Sequence, residues 1–192
     1  MLTAAHCGYL EIVEELEAMP GSDPTETDHL GRSALFLSSR SGQAHVVQHL
    51  LSNERVDPSI VDWCGSTPLF AAVVNGHFHV VEFLIAHHKP SLNHTYFDRS
   101  LIWWARRGGN LNVAQLLLRH ADQSSISMES DIPCDVVSFD PMSPWCDACT
   151  LCISDGSYHS CKECSTLALC GHCFQRGVRC QKSDHSMLVK NV

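Results

Sequence analysis

A repeat constrains this chain more than any other feature. Gly8, Gly42, Gly76 and Gly109 are spaced 34, 34 and 33 residues apart, and each opens a similar block. The blocks read Gly8-Tyr-Leu-Glu-Ile-Val-Glu-Glu-Leu16, Gly42-Gln-Ala-His-Val-Val-Gln-His-Leu50, Gly76-His-Phe-His-Val-Val-Glu-Phe-Leu84 and Gly109-Asn-Leu-Asn-Val-Ala-Gln-Leu-Leu117. Upstream of the last three lies a second shared block: Gly31-Arg-Ser-Ala-Leu-Phe36, Gly65-Ser-Thr-Pro-Leu-Phe70 and Asp98-Arg-Ser-Leu-Ile-Trp103. A fixed period of this length means stacked supersecondary units, none of which buries its apolar face alone.

The third unit shows how one repeat is built. Thr67 is placed to cap a helix whose first turn tolerates Pro68, because the missing N–H would have no intrahelical partner anyway. Leu69, Phe70 and Ala72 are expected to point inward. Gly76 ends the helix where a positive φ is needed. Val80, Val81, Leu84 and Ile85 then form the apolar stripe of a second helix.

These blocks resemble the ankyrin repeat, with Gly65 to Leu84 the closest match. The resemblance implies helix-turn-helix repeats over residues 1–122, about three and a half units, of which the first lacks its hairpin. It also implies a protein or peptide partner, held by hairpin tips and the adjoining end of each first helix. Carried over, the tips are His29, Leu30 and Arg32; Trp63, Cys64 and Ser66; and Tyr96, Phe97 and Arg99. The helix positions are His6, Arg40, Val74 and Arg107. Trp63, Tyr96 and Phe97 are either exposed aromatics, a class enriched in interface hot spots, or packing between neighbouring hairpins. Phe36, Phe70 and Trp103 replace a histidine frequent in the family, so apolar packing takes over from a polar link; Trp103 and Trp104 read as core. Met1, Leu2 and Ala4 offer no polar capping face. Either another segment covers that end or the chain is part of a longer array.

Residues 123–144 read as an extended acidic linker. Between 121 and 161 there are seven carboxylates and no Lys or Arg. Beyond it the cysteines crowd together: eight of the eleven lie between Cys146 and Cys180. Clustered CxxC pairs indicate metal more than a disulfide framework. The string is Cys146-x2-Cys149, Cys161-x2-Cys164, Cys170-x2-Cys173 and Cys180-x4-His185, which supplies eight ligands, enough for two tetrahedral zinc ions. So small a module has little core of its own, and metal must supply much of its folding energy.

This string resembles the ZZ-type zinc finger over residues 145–192. Cys146-Asp147-Ala148-Cys149, Gly156 and Leu169-Cys170 match that family's pattern. The resemblance implies a cross-brace in which the pairs alternate: Cys146, Cys149, Cys170 and Cys173 at one ion, and Cys161, Cys164, Cys180 and His185 at the other. The family's terminal pair is usually two histidines, and here Cys180 stands in for one. A RING finger would need a final CxxC pair, which is lacking. Cys152 reads as a surplus thiol, and His159 and His172 sit near the cluster. ZZ fingers that grip a free peptide N-terminus do so with several carboxylates. Here Asp147 matches one, but Thr166 and Ala168 occupy the other positions, so weak N-terminal recognition is expected.

Charge and motif searches narrow the function. The net charge of −8 argues against phosphate-neutralising nucleic-acid binding. No apolar run approaches the roughly 20 residues that span a bilayer. No basic-then-apolar leader opens the chain, so an intracellular setting (cytoplasm or nucleus) is expected. Eight ligands for two ions leave no open zinc position for water, and no phosphate-loop, nucleophile-elbow or zinc-protease motif appears. The expectation is therefore an all-α ankyrin solenoid followed by a small zinc-stabilised cross-brace domain. It would act as a non-enzymatic interaction scaffold with two structural zinc ions. The alternative is a regulatory piece of a larger enzyme or signalling protein; the oligomeric state stays open.

Overall fold

Ser33, Thr67 and Ser100 occupy the same place in successive repeats, and each caps a helix. Their hydroxyls accept from the backbone N–H of Phe36, Phe70 and Trp103, at 3.1 Å in every case. In the computed structural model, which describes residues 1–88, 90, 92, 95–96, 99–121, 146, 157–162, 168–175 and 186–191, these caps open three of the paired helices of the first unit. The pairs are α1 (Leu2–Cys7) with α2 (Leu10–Ala18), α3 (Ala34–Arg40) with α4 (Ala44–Leu51), α5 (Pro68–Val74) with α6 (Phe78–His88), and α7 (Leu101–Arg107) with α8 (Leu111–His120). Before α7 runs a short antiparallel hairpin, β1 (Thr95–Tyr96) and β2 (Arg99–Ser100).

The helices stack in two layers. The chain of contacts α1–α3–α5–α7 forms one layer and α2–α4–α6–α8 the other. Between them lies the core that periodicity predicted: Leu69, Phe70, Ala72, Val80, Val81, Leu84 and Ile85 are all buried. Burial of such side chains is worth about 1.5–3 kcal/mol each, which short helices of six to eleven residues need in order to persist. At the far end the aromatics interlock. Phe70 stacks on Tyr96 with centroids 4.2 Å apart and meets Trp104 edge-on at 5.6 Å; the Trp104 indole N–H donates to the Tyr96 carbonyl at 2.9 Å. Trp103 and Trp104 are core, as their sequence context suggested.

Polar side chains lock each repeat to the one before. The residue after each repeat glycine reaches back to the preceding repeat's first helix. Gln43 Nε2 donates to the His6 carbonyl (3.4 Å), His77 Nε2 to that of Arg40 (2.8 Å), and Asn110 Nδ2 to that of Val74 (3.0 Å). The glycines are part of this device. Gly42 and Gly76 have φ near +75°, and a Cβ on either would overlap the His77 ring or the Asn110 amide. In the outer layer Glu17 accepts from Asn53 Nδ2 at 2.8 Å and pairs with His49 Nε2 at 2.5 Å.

The chain divides into two compact units, Met1–Val136 and Val137–Val192. The second contains an antiparallel sheet of order β4-β3-β5, with β3 Ser157–Cys161, β4 Ala168–Leu169 and β5 Met187–Asn191, and a short helix α9 (Gly171–Gln175) against β3. The His159 ring lies flat on Phe174, centroids 3.7 Å apart, which accounts for that histidine without a metal. The expected linker, residues 123–144, and Cys152 lie outside the described residues. No helix among the described residues is long and apolar enough to cross a membrane.

Candidate functional site

Two carboxylates shape the hairpin tips. Asp28 accepts from the N–H groups of Leu30 (2.9 Å) and Arg32 (3.0 Å), and Asp62 from those of Cys64 (2.9 Å) and Ser66 (2.8 Å). Each is an Asx turn, in which a short side chain substitutes for a backbone acceptor. Burial pushes the Asp28 carboxyl up, but bonds and charge from Arg32, with the Leu30 amide, hold it below the ordinary carboxylate value. Neither aspartate was singled out above, although both stand five residues before a helix cap. Alignment on the caps would have found them.

The tips are less exposed than the resemblance implied. His29 is exposed, and Arg32, Trp63, Cys64 and Arg99 are half-buried. Four corrections follow for the rest. Leu30 is only 6% exposed, since its carbonyl accepts from the Trp63 N–H of the next hairpin at 3.0 Å. Ser66 is buried in the Asp62 turn. Tyr96 is 7% exposed, because its ring covers Phe70 and its hydroxyl meets Thr67 Oγ1 at 2.7 Å. The first-helix ends also turn inward: Arg40 is 7%, Val74 1% and Arg107 5% exposed. The next repeat's His77 and Asn110 close over Arg40 and Val74, and the Arg107 guanidinium lies 5.9 and 5.8 Å from the Trp103 and Trp104 rings. His6 is half-buried against Ser41 Oγ (2.6 Å); burial, with Arg40 and Arg32 nearby, lowers its pKa. Phe97 lies outside the described residues. The accessible tip surface is thus centred on His29, with partial access to Arg32, Trp63, Cys64 and Arg99.

In the second unit, Cys146, Cys170 and Cys173 converge, their Sγ atoms all within 4.8 Å of one another. Cys146 and Cys173 are buried and Cys170 is partly so. Cys170 immediately precedes α9 and Cys173 lies within it, where the Phe174 N–H donates to the Cys170 carbonyl at 3.1 Å. A tetrahedral ion with metal–sulfur bonds near 2.3 Å separates its sulfurs by about 3.8 Å. Three thiols this close could hold a metal ion, and sulfur ligands suit soft metals such as zinc or an iron–sulfur cluster. Cys161, expected at the other ion, is buried at the end of β3 and outside this trio. Cys149, Cys164, Cys180 and His185 lie outside the described residues.

A family model described as ankyrin repeats, three copies, matches residues 1–96, half of the 192-residue chain. No curated protein matches the chain. The fourth helix pair, beyond the matched segment, keeps the cap at Ser100 and the back-bond from Asn110. With the repeat matched over half its length and its capped, stacked helix pairs formed, this chain belongs to the ankyrin-repeat family, whose arrays are protein-interaction modules.

Proposed function

We propose that this protein is a non-enzymatic, intracellular interaction scaffold. Its ankyrin array, residues 1–122, presents a partner surface, and an acidic linker over 123–144 joins it to a ZZ-type zinc finger over 145–192. The finger holds two structural zinc ions in a cross-brace, one on Cys146, Cys149, Cys170 and Cys173 and the other on Cys161, Cys164, Cys180 and His185. The observation that carries this reading is the Cys146–Cys170–Cys173 trio. It joins a first cysteine to a pair 24 and 27 residues later and skips Cys161, the alternation a cross-brace requires. Structural zinc binding contributes roughly 10–16 kcal/mol per site, ample for a unit with so small a core.

The partner surface centres on His29, Arg32, Trp63 and Arg99, which with Cys64 are the tip positions among the described residues that keep access to solvent. The finger binds free peptide N-termini little or not at all, because of the carboxylates the family uses only Asp147 is kept, with Thr166 and Ala168 at the other positions. Native mass spectrometry of the full chain tests the zinc assignment: two zinc ions are expected, falling to one in Cys146→Ser. One ion or none in the unaltered protein overturns the cross-brace.

A further inference from the structure

The large apolar side chains that the array leaves in solvent gather at its two ends. Among its described residues they are Tyr9, Ile12 and Met19 on or beside α2, Leu111 and Leu118 on α8, and Val61 between. Ile12 stands four residues after its repeat glycine. Val46, Val80 and Val113 hold that place in the later repeats and are buried, whereas Ile12 is 45% exposed. A position that packs inside the array is bare at its start.

The array itself shows the register in which one repeat meets the next. Glu14 and Glu17, six and nine residues after Gly8, meet His49, seven after Gly42, at 3.6 and 2.5 Å. Glu17 also accepts from Asn53, eleven after Gly42, at 2.8 Å. In the fourth helix pair the places six and nine after Gly109 hold Gln115 and Leu118. In the first pair the places seven and eleven after Gly8 hold Glu15 and Met19. Continuing the register past α8 onto a second α2 sets Leu118 against Met19 and the Gln115 amide against the Glu15 carboxylate. All four are open to solvent, Met19 at 56% and Leu118 at 37%.

Two further features agree. Tyr9 holds the place of Gln43, His77 and Asn110, which reach back to the preceding first helix. Its backbone torsions (φ −81°, ψ 79°) match those of Gln43 (−80°, 73°) and Asn110 (−92°, 66°), so its exposed ring is launched in the same direction. Charge is also complementary: α2 carries Glu11, Glu14, Glu15 and Glu17 with no Lys or Arg, and α8 carries Arg119 with no carboxylate.

We propose that α8 receives the α2 helix of a second copy of this chain in repeat register, so that copies join head to tail. Each junction supplies the neighbour that a stacked repeat needs. The two surfaces differ, so the contact does not close on itself and leads to open chains of copies. The inference rests on the repeat geometry and is independent of the zinc reading.

Sedimentation of the full-length protein over a range of concentrations tests it. The mean mass should rise from the 21.3 kDa of one chain with no plateau at the dimer. Met19→Asp disables the start and Leu118→Asp the end, both at exposed positions. Each should keep the helical circular dichroism and weaken association roughly tenfold or more, the loss of one apolar side chain's burial. An equal mixture of the two variants should form pairs and nothing larger, because one intact end then meets one intact start. Gln115→Lys, a change on the helix surface, should tighten association roughly threefold by pairing with Glu15 of the next copy. An unaltered chain that stays monomeric, variants that still assemble, or a mixture that stays monomeric or grows beyond pairs would overturn the proposal.

Discussion

The two units of this chain meet the same difficulty by opposite means. No ankyrin repeat buries its apolar face alone, so the array borrows surface from its neighbours: Phe70 is covered by Tyr96 and Trp104 of the next repeat. The cysteine unit has a three-stranded sheet and a five-residue helix, with Cys146, Cys161, Leu169 and Cys173 as its buried apolar side chains among the described residues. Three of those four are thiols. One region spreads its stability over many contacts, and the other concentrates it at points that a metal would tie. Damage should therefore be graded in the array and abrupt in the cysteine unit.

Chelation should separate the two most sharply. Chelating the zinc proposed above is expected to abolish the chemical-shift dispersion of Tyr158, His159 and Leu169 while the helical circular dichroism of the array persists. Joint loss of both signals would show that the units do not stand independently. Phe70→Ala should do the reverse. Removing a fully buried aromatic ring costs about 3–5 kcal/mol, read as a lowered midpoint for the array with the metal content of the chain unchanged.

Smaller perturbations probe how the repeats are tied. Gly76→Ala forces an L side chain to a φ of +76° and against the Asn110 amide, so a loss of about 1–3 kcal/mol is expected in denaturant unfolding. Its two causes can be told apart: Asn110→Ala in the same background should recover part of the loss.

The smallest effect is pH-dependent. Burial of His77 lowers its pKa below the ordinary 6.5, more than the bond to the Arg40 carbonyl raises it. The folded array therefore favours neutral His77, and the unfolded chain binds the proton more readily. Stability should hold above pH 6.5 and decline as pH falls from there through the depressed folded value. His77→Asn keeps a donor like that of Asn110 and should flatten the decline in melting temperature between pH 7.5 and 5.5. His6, also depressed, should leave a residual slope.

Much of the array was legible in the sequence because its signals are local. A cap at Thr67, a positive φ at Gly76 and the stripe Val80-Val81-Leu84-Ile85 each depend on a few neighbouring residues, and each is where spacing put it. The candidate site was legible only in part. His29 stays exposed, but Leu30 and Tyr96 do not, because exposure depends on groups that arrive from the adjoining hairpin. The Asx turns at Asp28 and Asp62 went unread for a different reason: a single aspartate signals a turn weakly until the repeat alignment puts both at one position.

The sequence by itself determined the period, the helix pairs, their caps and the crowding of cysteines into the last third of the chain. Those features follow from bonds and torsions within a turn or two of backbone. Tertiary structure alone decided which residues of the hairpin tips and first-helix ends stay accessible. Arg40, Val74 and Arg107 look like an exposed row when one repeat is read in isolation, yet side chains about one period away, or the neighbouring indoles, bury them. Cys146 likewise lies with Cys170 and Cys173 rather than with Cys161, which is nearer in sequence, a grouping that the family resemblance implied and spacing alone did not. Both outcomes are set by contacts across long stretches of chain, which no local pattern encodes.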